Sequence, residues 1–170
     1  MAKSSYTIAV ISGDGIGPEI VRAAVEVLQQ LARLESFRLE LIDYPAGAGA
    51  YQELGDALPP ATLAGCKQAD AILKGPTGLP TVRLPDGTEA GVLGGRVRTG
   101  LDLYVNLRPI KLYPNVPTAL ANRRPGQIDW VMVRENTEGL YASRGNGVVA
   151  NSGQAATDTL MITRLGAERI

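Results

Sequence analysis

Residues 6–19 read YTIAVISGDGIGPE, and the chain on either side of this stretch decides the fold class. Tyr6 to Ser12 is β-rich and nearly unbroken in apolar side chains, the pattern of a strand buried on both faces. Glycines then allow a tight turn, and Pro18 suits the first turn of a helix running to about Leu34. Ile20, Val21, Ala24, Val25, Val27 and Leu28 recur in it at helical spacing. Phe37 to Tyr44 alternates apolar with polar residues and predicts a second strand. Leu58 to Cys66 predicts a short helix and Ala69 to Leu73 a third buried strand. Strand, helix, strand, helix, strand implies an α/β fold built on a parallel sheet.

The character of the chain changes at Gly75. From there to Gly100 it is rich in Gly, Pro, Thr and Asp and has no clear period, and a loop of that length is more often functional than idle. Leu101–Lys111, Ile128–Arg134, Gly139–Ala142 and Ala155–Thr163 are strand-like with no helix between them. They predict antiparallel pairing in a second unit, so the expected division is 1–100 and 101–170. The closing stretch LMITRLGAERI opens a helical pattern with no Gly or Asn cap and too few residues for an apolar face. Together with a three-strand sheet, this reads as the truncated front half of a longer fold.

With 170 residues, 45% apolar and 20% charged, the chain has material for a real core. Seventeen basic residues balance seventeen acidic ones, so no overall field favours nucleic acid or membrane. The apolar run near the N-terminus is too short for a signal core or a membrane span, and a cytoplasmic protein is expected. Cys66 is the sole cysteine, which excludes an internal disulfide and fits a reducing compartment. Its neighbours Leu63, Ala64 and Ala69 mark it as a small packed hydrophobe. Histidine is absent, which rules out every histidine base, relay or zinc site within this chain.

Gly13, Gly15 and Gly17, with Asp43 closing the next strand, invite a dinucleotide fingerprint reading. The match fails at its third glycine, where Pro18 stands. Glu19 and Asp14 add negative charge beside the helix N-terminus, competing for the donors a phosphate would need. Glycines that merely permit the turn explain the pattern as well.

Arg98, Arg108, Arg134 and Tyr141 form a denser signal. Each arginine lies at the edge of an apolar segment. Guanidinium groups at the ends of buried strands are costly to desolvate unless an anion pairs with them. Their planar forks match carboxylates, so several together point to a small polyacid. Taken singly, each arginine reads as an ordinary strand-end ion pair, and Tyr141 as a half-buried strand aromatic.

GDGIGPEI (13–20), LDLYVNLRPIKLYPNVP (101–117) and VRENTEGLY (133–141), in this order and spacing, resemble the isocitrate and isopropylmalate dehydrogenases, a group that includes tartrate and homoisocitrate dehydrogenases. The resemblance runs from about Ile8 to Ile170 and covers the N-terminal half of such enzymes. It implies an isopropylmalate-dehydrogenase-like fold with a mixed, non-Rossmann sheet. Residues 1–100 would be the first part of the cofactor-side domain and 101–170 the first part of the substrate and dimerisation domain.

The chemistry implied is oxidation of a substituted malate at its hydroxyl by NAD or NADP, followed by loss of carbon dioxide. A magnesium or manganese ion would act as Lewis acid. By position, Arg98, Arg108 and Arg134 would clamp the carboxylates, and Tyr141 would deliver a proton to the enolate carbon. A free tyrosine titrates near ~10 and needs cationic neighbours such as Arg134 to serve near neutral pH. The cofactor would lie along Gly75–Glu89, with Gly75, Thr77, Gly78, Thr88 and Glu89 as contacts. A glycine-rich lid with no cofactor contact is the other reading of that loop.

In this family the catalytic lysine and the metal-binding aspartates fall beyond position 170. Asp102, Asp129 and Asp158 are therefore not taken as metal ligands, and the chain alone is expected to be inactive. Isopropylmalate enzymes usually carry a large apolar residue four positions before the first arginine, where this chain has Gly94 followed by Gly95. Residues 115–139 instead look most like tartrate dehydrogenases. The expected substrate is therefore tartrate or D-malate, with 3-isopropylmalate as the alternative and isocitrate weakest. A reading of another class is a catalytically incomplete regulatory or assembly subunit. The resemblance also implies a homodimer, in which case the strands around Asn146–Thr163 should expose apolar surface in a monomer.

Overall fold

The apolar run at Tyr6 becomes β1 (Ser5–Ile11), the central strand of a parallel sheet ordered β2-β1-β3. In this computed structural model residues 3–142 and 147–170 are described. The chain separates into two units, Met1–Leu101 and Asp102–Ile170. In the first, β1 leads into α1 (Gly17–Leu34), β2 (Arg38–Asp43), α2 (Ala48–Leu54), α3 (Pro60–Gln68), β3 (Ala71–Lys74) and α4 (Gly94–Gly100). Ile8 stands opposite Leu41 on one side and Ala71 on the other. Ala9, Val10 and Ile11 are buried, as a strand flanked on both edges requires.

The core of this unit gathers Ile11, Leu58, Cys66, Leu93 and Val97, with Tyr44 and Leu63 packed against it. Cys66 is thus a core hydrophobe, and burial pushes its thiol pKa up. At Gly65 on α3 a Cβ would run into the Tyr44 ring, so the close approach of helix and ring admits only glycine. Helix α1 starts with Pro18 in its first turn and turns Val21 and Ala32 inward. Ile20, Val27, Leu31 and Leu34 stay exposed on it.

Two helices depart from expectation. Helix α2 is too short to show an apolar period, and α4 lies inside the stretch that reads as loop. Its inward residue Val97 and the preceding Leu93 reach the core, and that packing decides its conformation. The loop proper is therefore shorter than Gly75–Gly100. It contains a turn in which Leu84 N–H donates to Thr88 O at 2.7 Å and Arg83 bridges Glu89.

In the second unit β4 (Val105–Lys111) pairs antiparallel with β5 (Asp129–Glu135). A smaller antiparallel pair joins β6 (Val148–Ala150) to β7 (Ala155–Thr157), and α5 (Arg164–Glu168) follows. Leu101–Tyr104 does not extend β4, because Asp102 takes a positive φ of 48° and turns the chain. The strand expected at Gly139–Ala142 is reduced to a bridge between Gly139 and Met161, which also shortens the one expected to reach Thr163. The strands carrying the arginines are not buried either. Leu107, Val131, Met132 and Val133 are exposed, because a two-stranded ribbon has no neighbouring strands to cover it. Thr163 caps α5, its hydroxyl accepting the Gly166 N–H at 3.0 Å.

Candidate active site

The register of β4 against β5 sets the positions of two arginines. Asn106 pairs with Arg134 and Arg108 with Met132, so alternation along the strands places Arg108, Asn106 and Arg134 on one face. Arg108 donates from Nε to Asn106 Oδ1 at 3.2 Å and is otherwise open to solvent. Half-buried Arg134 donates from Nη2 to the Tyr141 hydroxyl, and its guanidinium carbon lies 5.3 Å from the Tyr141 ring centre. Cation and phenol are therefore in direct contact. They border a cavity of about 600 Å³ whose other walls include Glu138, Leu140, Ile162 and Ile170.

The turn between β5 and Tyr141 is held by its own carboxylates. Glu135 accepts N–H bonds from Thr137 and Glu138, the latter at 2.6 Å, and the Thr137 hydroxyl at 2.5 Å. Burial opposes its charge, but these bonds outweigh it and hold its carboxyl below the usual range. Glu138 accepts both the hydroxyl and the N–H of Thr163, which likewise lowers its pKa. Arg169, which sequence reading passed over as part of a short tail, ties the turn to the start of the unit. It donates to Thr137 Oγ1 at 2.8 Å and to Asp102 at 3.1 Å, and lies 4.4 Å from the Tyr104 ring centre.

Arg98 belongs to the first unit and sits on α4, not at a strand end. Gly94, one helical turn earlier, faces its guanidinium: a Cβ there would lie 3.9 Å from the group. Lys74, which the sequence did not single out, is the second cation of this region. It donates to Gly75 O at 2.9 Å and to Thr77 Oγ1 at 3.2 Å. Partial burial and nearby Arg98 lower its pKa, while Asp14 opposes the shift.

The five residues expected at the cofactor are only partly gathered. Gly75 is buried against Ser12 and Val21, and Thr77 meets Lys74. Gly78 and Glu89 touch, since a Cβ at Gly78 would run into the Glu89 carboxylate. Thr88 lies on the exposed turn, its N–H bonded to Asp86 at 2.8 Å.

The glycine turn behaves differently from the competition expected at α1. The Asp14 carboxylate points away from that helix and accepts N–H bonds from Ala48 and Gly49 at the start of α2, at 2.7 and 2.9 Å, and from Gly78 at 2.7 Å. Burial would raise its pKa, but those three amides and Lys74 hold it below the usual range. Among the described residues no group of three acidic or cysteine side chains gathers to hold a metal. Asp102 and Asp129 are in ion pairs with Arg169 and Lys111.

A parallel α/β unit with a glycine turn, followed by a ribbon carrying an arginine–tyrosine pair, defines the class of protein. The chain belongs to the isocitrate/isopropylmalate dehydrogenase family, whose model matches residues 7–170. It is 44% identical to a 3-isopropylmalate dehydrogenase of Thermobifida fusca, over all of this chain and 48% of that protein. A 3-isopropylmalate dehydrogenase of Corynebacterium glutamicum is 43% identical over 96% of the chain and 46% of its own length. An isocitrate dehydrogenase structure from Methylococcus capsulatus aligns with a TM-score of 0.75 at 33% identity, over 96% of this chain and 44% of that one. A β-decarboxylating dehydrogenase from Thermococcus kodakarensis aligns with a TM-score of 0.64 at 36% identity, over 96% of this chain and 42% of that one. The chain spans about half the length of the curated relatives it matches. Their names agree with the alternative substrate expected above better than with tartrate.

Proposed function

We propose that this chain supplies the N-terminal part of an NAD(P)- and divalent-metal-dependent β-decarboxylating dehydrogenase acting on a substituted malate, with 3-isopropylmalate as the first substrate. The observation that carries the reading is the contact between Arg134 and Tyr141 beside a cavity, on the same strand face as Arg108. Arg108 and Arg134 bind the acid's carboxylates through their planar forks. Tyr141 holds the proton that goes to the enolate carbon, and Arg134 favours the phenolate left behind. The preference for 3-isopropylmalate rests on the names of the relatives.

The dinucleotide would lie along Gly75–Glu89, where Thr77 and Glu89 offer polar groups, and when bound it would supply the hydride acceptor. A magnesium or manganese ion would serve the whole enzyme as a Lewis acid. A homodimer formed through the second unit fits the exposure of Val148, Val149, Met161 and Ile162. Asn146, the start of that expected surface, lies outside the described residues.

A second reading has a specific observation behind it. Gly94 leaves bare backbone beside Arg98, so nothing there grips an isopropyl group, and tartrate or D-malate fits such a site. The test is NADH formation with manganese and 3-isopropylmalate, D-malate or tartrate. It is run on the chain alone and together with the C-terminal half of the Thermobifida fusca relative. Turnover only with the complementing half, fastest on 3-isopropylmalate, supports the first reading, and fastest on tartrate or D-malate the second. Tight acid binding with no turnover in any combination instead marks a regulatory subunit.

A further inference from the structure

Asp14 stands in the turn after β1, is only 9% exposed, and has its carboxylate surrounded by backbone. Oδ2 accepts the N–H of Ala48 and of Gly78, both at 2.7 Å, and Oδ1 that of Gly49 at 2.9 Å. Its own N–H donates to Pro76 O at 2.9 Å. One residue thus joins the three loops that follow β1, β2 and β3.

The backbone around it is shaped for a carboxylate. Gly47 takes φ 115° and a Cβ there would run into the Asp14 side chain; Gly78 takes φ 116°. Helix α2 has no side-chain cap at its own N-cap, so Asp14 caps it from a distant part of the chain. A buried carboxylate is costly unless hydrogen-bonded, and three charge-assisted bonds, two of them from the open amides at the start of α2, meet that need. The effect reaches further along the loop, because Gly91 packs on the Gly78 backbone and Glu89 lies against Gly78.

We propose that Asp14 is the positioning residue of the dinucleotide loop: an internal anion that takes the amides of Ala48, Gly49 and Gly78 and so presets Gly75–Glu89 for the cofactor. This rests on the dinucleotide reading of the loop given above. The charged groups around Asp14 are Lys74, which favours its ionised form, and Asp43 and Glu53, which line the same cavity of about 400 Å³.

The test compares the whole chain with its Asp14→Asn variant, which keeps the shape but replaces one acceptor oxygen by a donor. Amide exchange at Ala48, Gly49 and Gly78 should accelerate by roughly tenfold or more, with the amides of β1 unchanged. The dissociation constant for NADH should rise by about tenfold, while that for a malate-type dicarboxylate stays within a factor of about two. Unchanged exchange at the three amides, or equal loss of both ligands, overturns the proposal.

If the variant does not fold, the wild type decides. Its Asp14 carboxyl carbon and the three amide resonances should titrate together, with one midpoint below the ordinary aspartate range. An ordinary midpoint that the amides do not follow overturns it. Should the wild type bind no NADH, the dinucleotide reading of the loop fails, and the exchange and titration results still decide the clamp.

Discussion

Arg134 illustrates what a single side chain contributes here, because its fork and charge are used at once, on a phenol and beside a cavity. Lysine would keep the charge and lose the fork. Arg134→Lys should weaken binding of 3-isopropylmalate by roughly ten- to a hundredfold in calorimetry, and an unchanged affinity would remove Arg134 from the carboxylate clamp. Asp14 and Glu135 give the acid response. Both have folded-state pKa values held below the unfolded ones, so their stabilisation is complete above about pH 5 and is lost as pH falls through the unfolded and then the folded values. Melting temperature should therefore be flat from neutral pH to about pH 5 and decline below, with a shallower decline in Asp14→Asn. The arginines and Tyr141 stood out in the sequence as candidates because guanidinium groups beside apolar segments are rare without a reason. Lys74 and Arg169 were not, since their partners lie in other elements.

At the level of elements, β1, α1, β2, α3 and β3 follow their sequence periods to within a few residues. Helices α2 and α4 do not, as neither is long enough to carry a period and both depend on tertiary contacts. Close approach at Gly65 offers a check on α3: Gly65→Ala forces a methyl into the Tyr44 ring and should cost about 1–3 kcal/mol in urea unfolding. A neutral outcome would mean that the ring moves aside freely.

Taken whole, the molecule leaves much apolar surface in water. Val149 is 70% exposed and Trp130, the sole tryptophan, 47%. Self-association through the second unit should cover part of it. Trp130 emission should then shift to the blue as protein concentration rises, together with the sedimentation coefficient. Emission independent of concentration, with a monomer throughout, would place any dimer contact elsewhere.

Local patterning by itself determined the parallel α/β order and the antiparallel β4–β5 pair, and singled out Arg108, Arg134 and Tyr141 as candidates, because strand and helix periods and charge beside apolar runs are short-range signals. Tertiary structure decided the rest. It placed Arg98 on a helix, left the arginine-bearing ribbon exposed and turned Asp14 toward α2 and Gly78. Those outcomes depend on which distant backbone donors and side chains meet, and no window of sequence contains both partners.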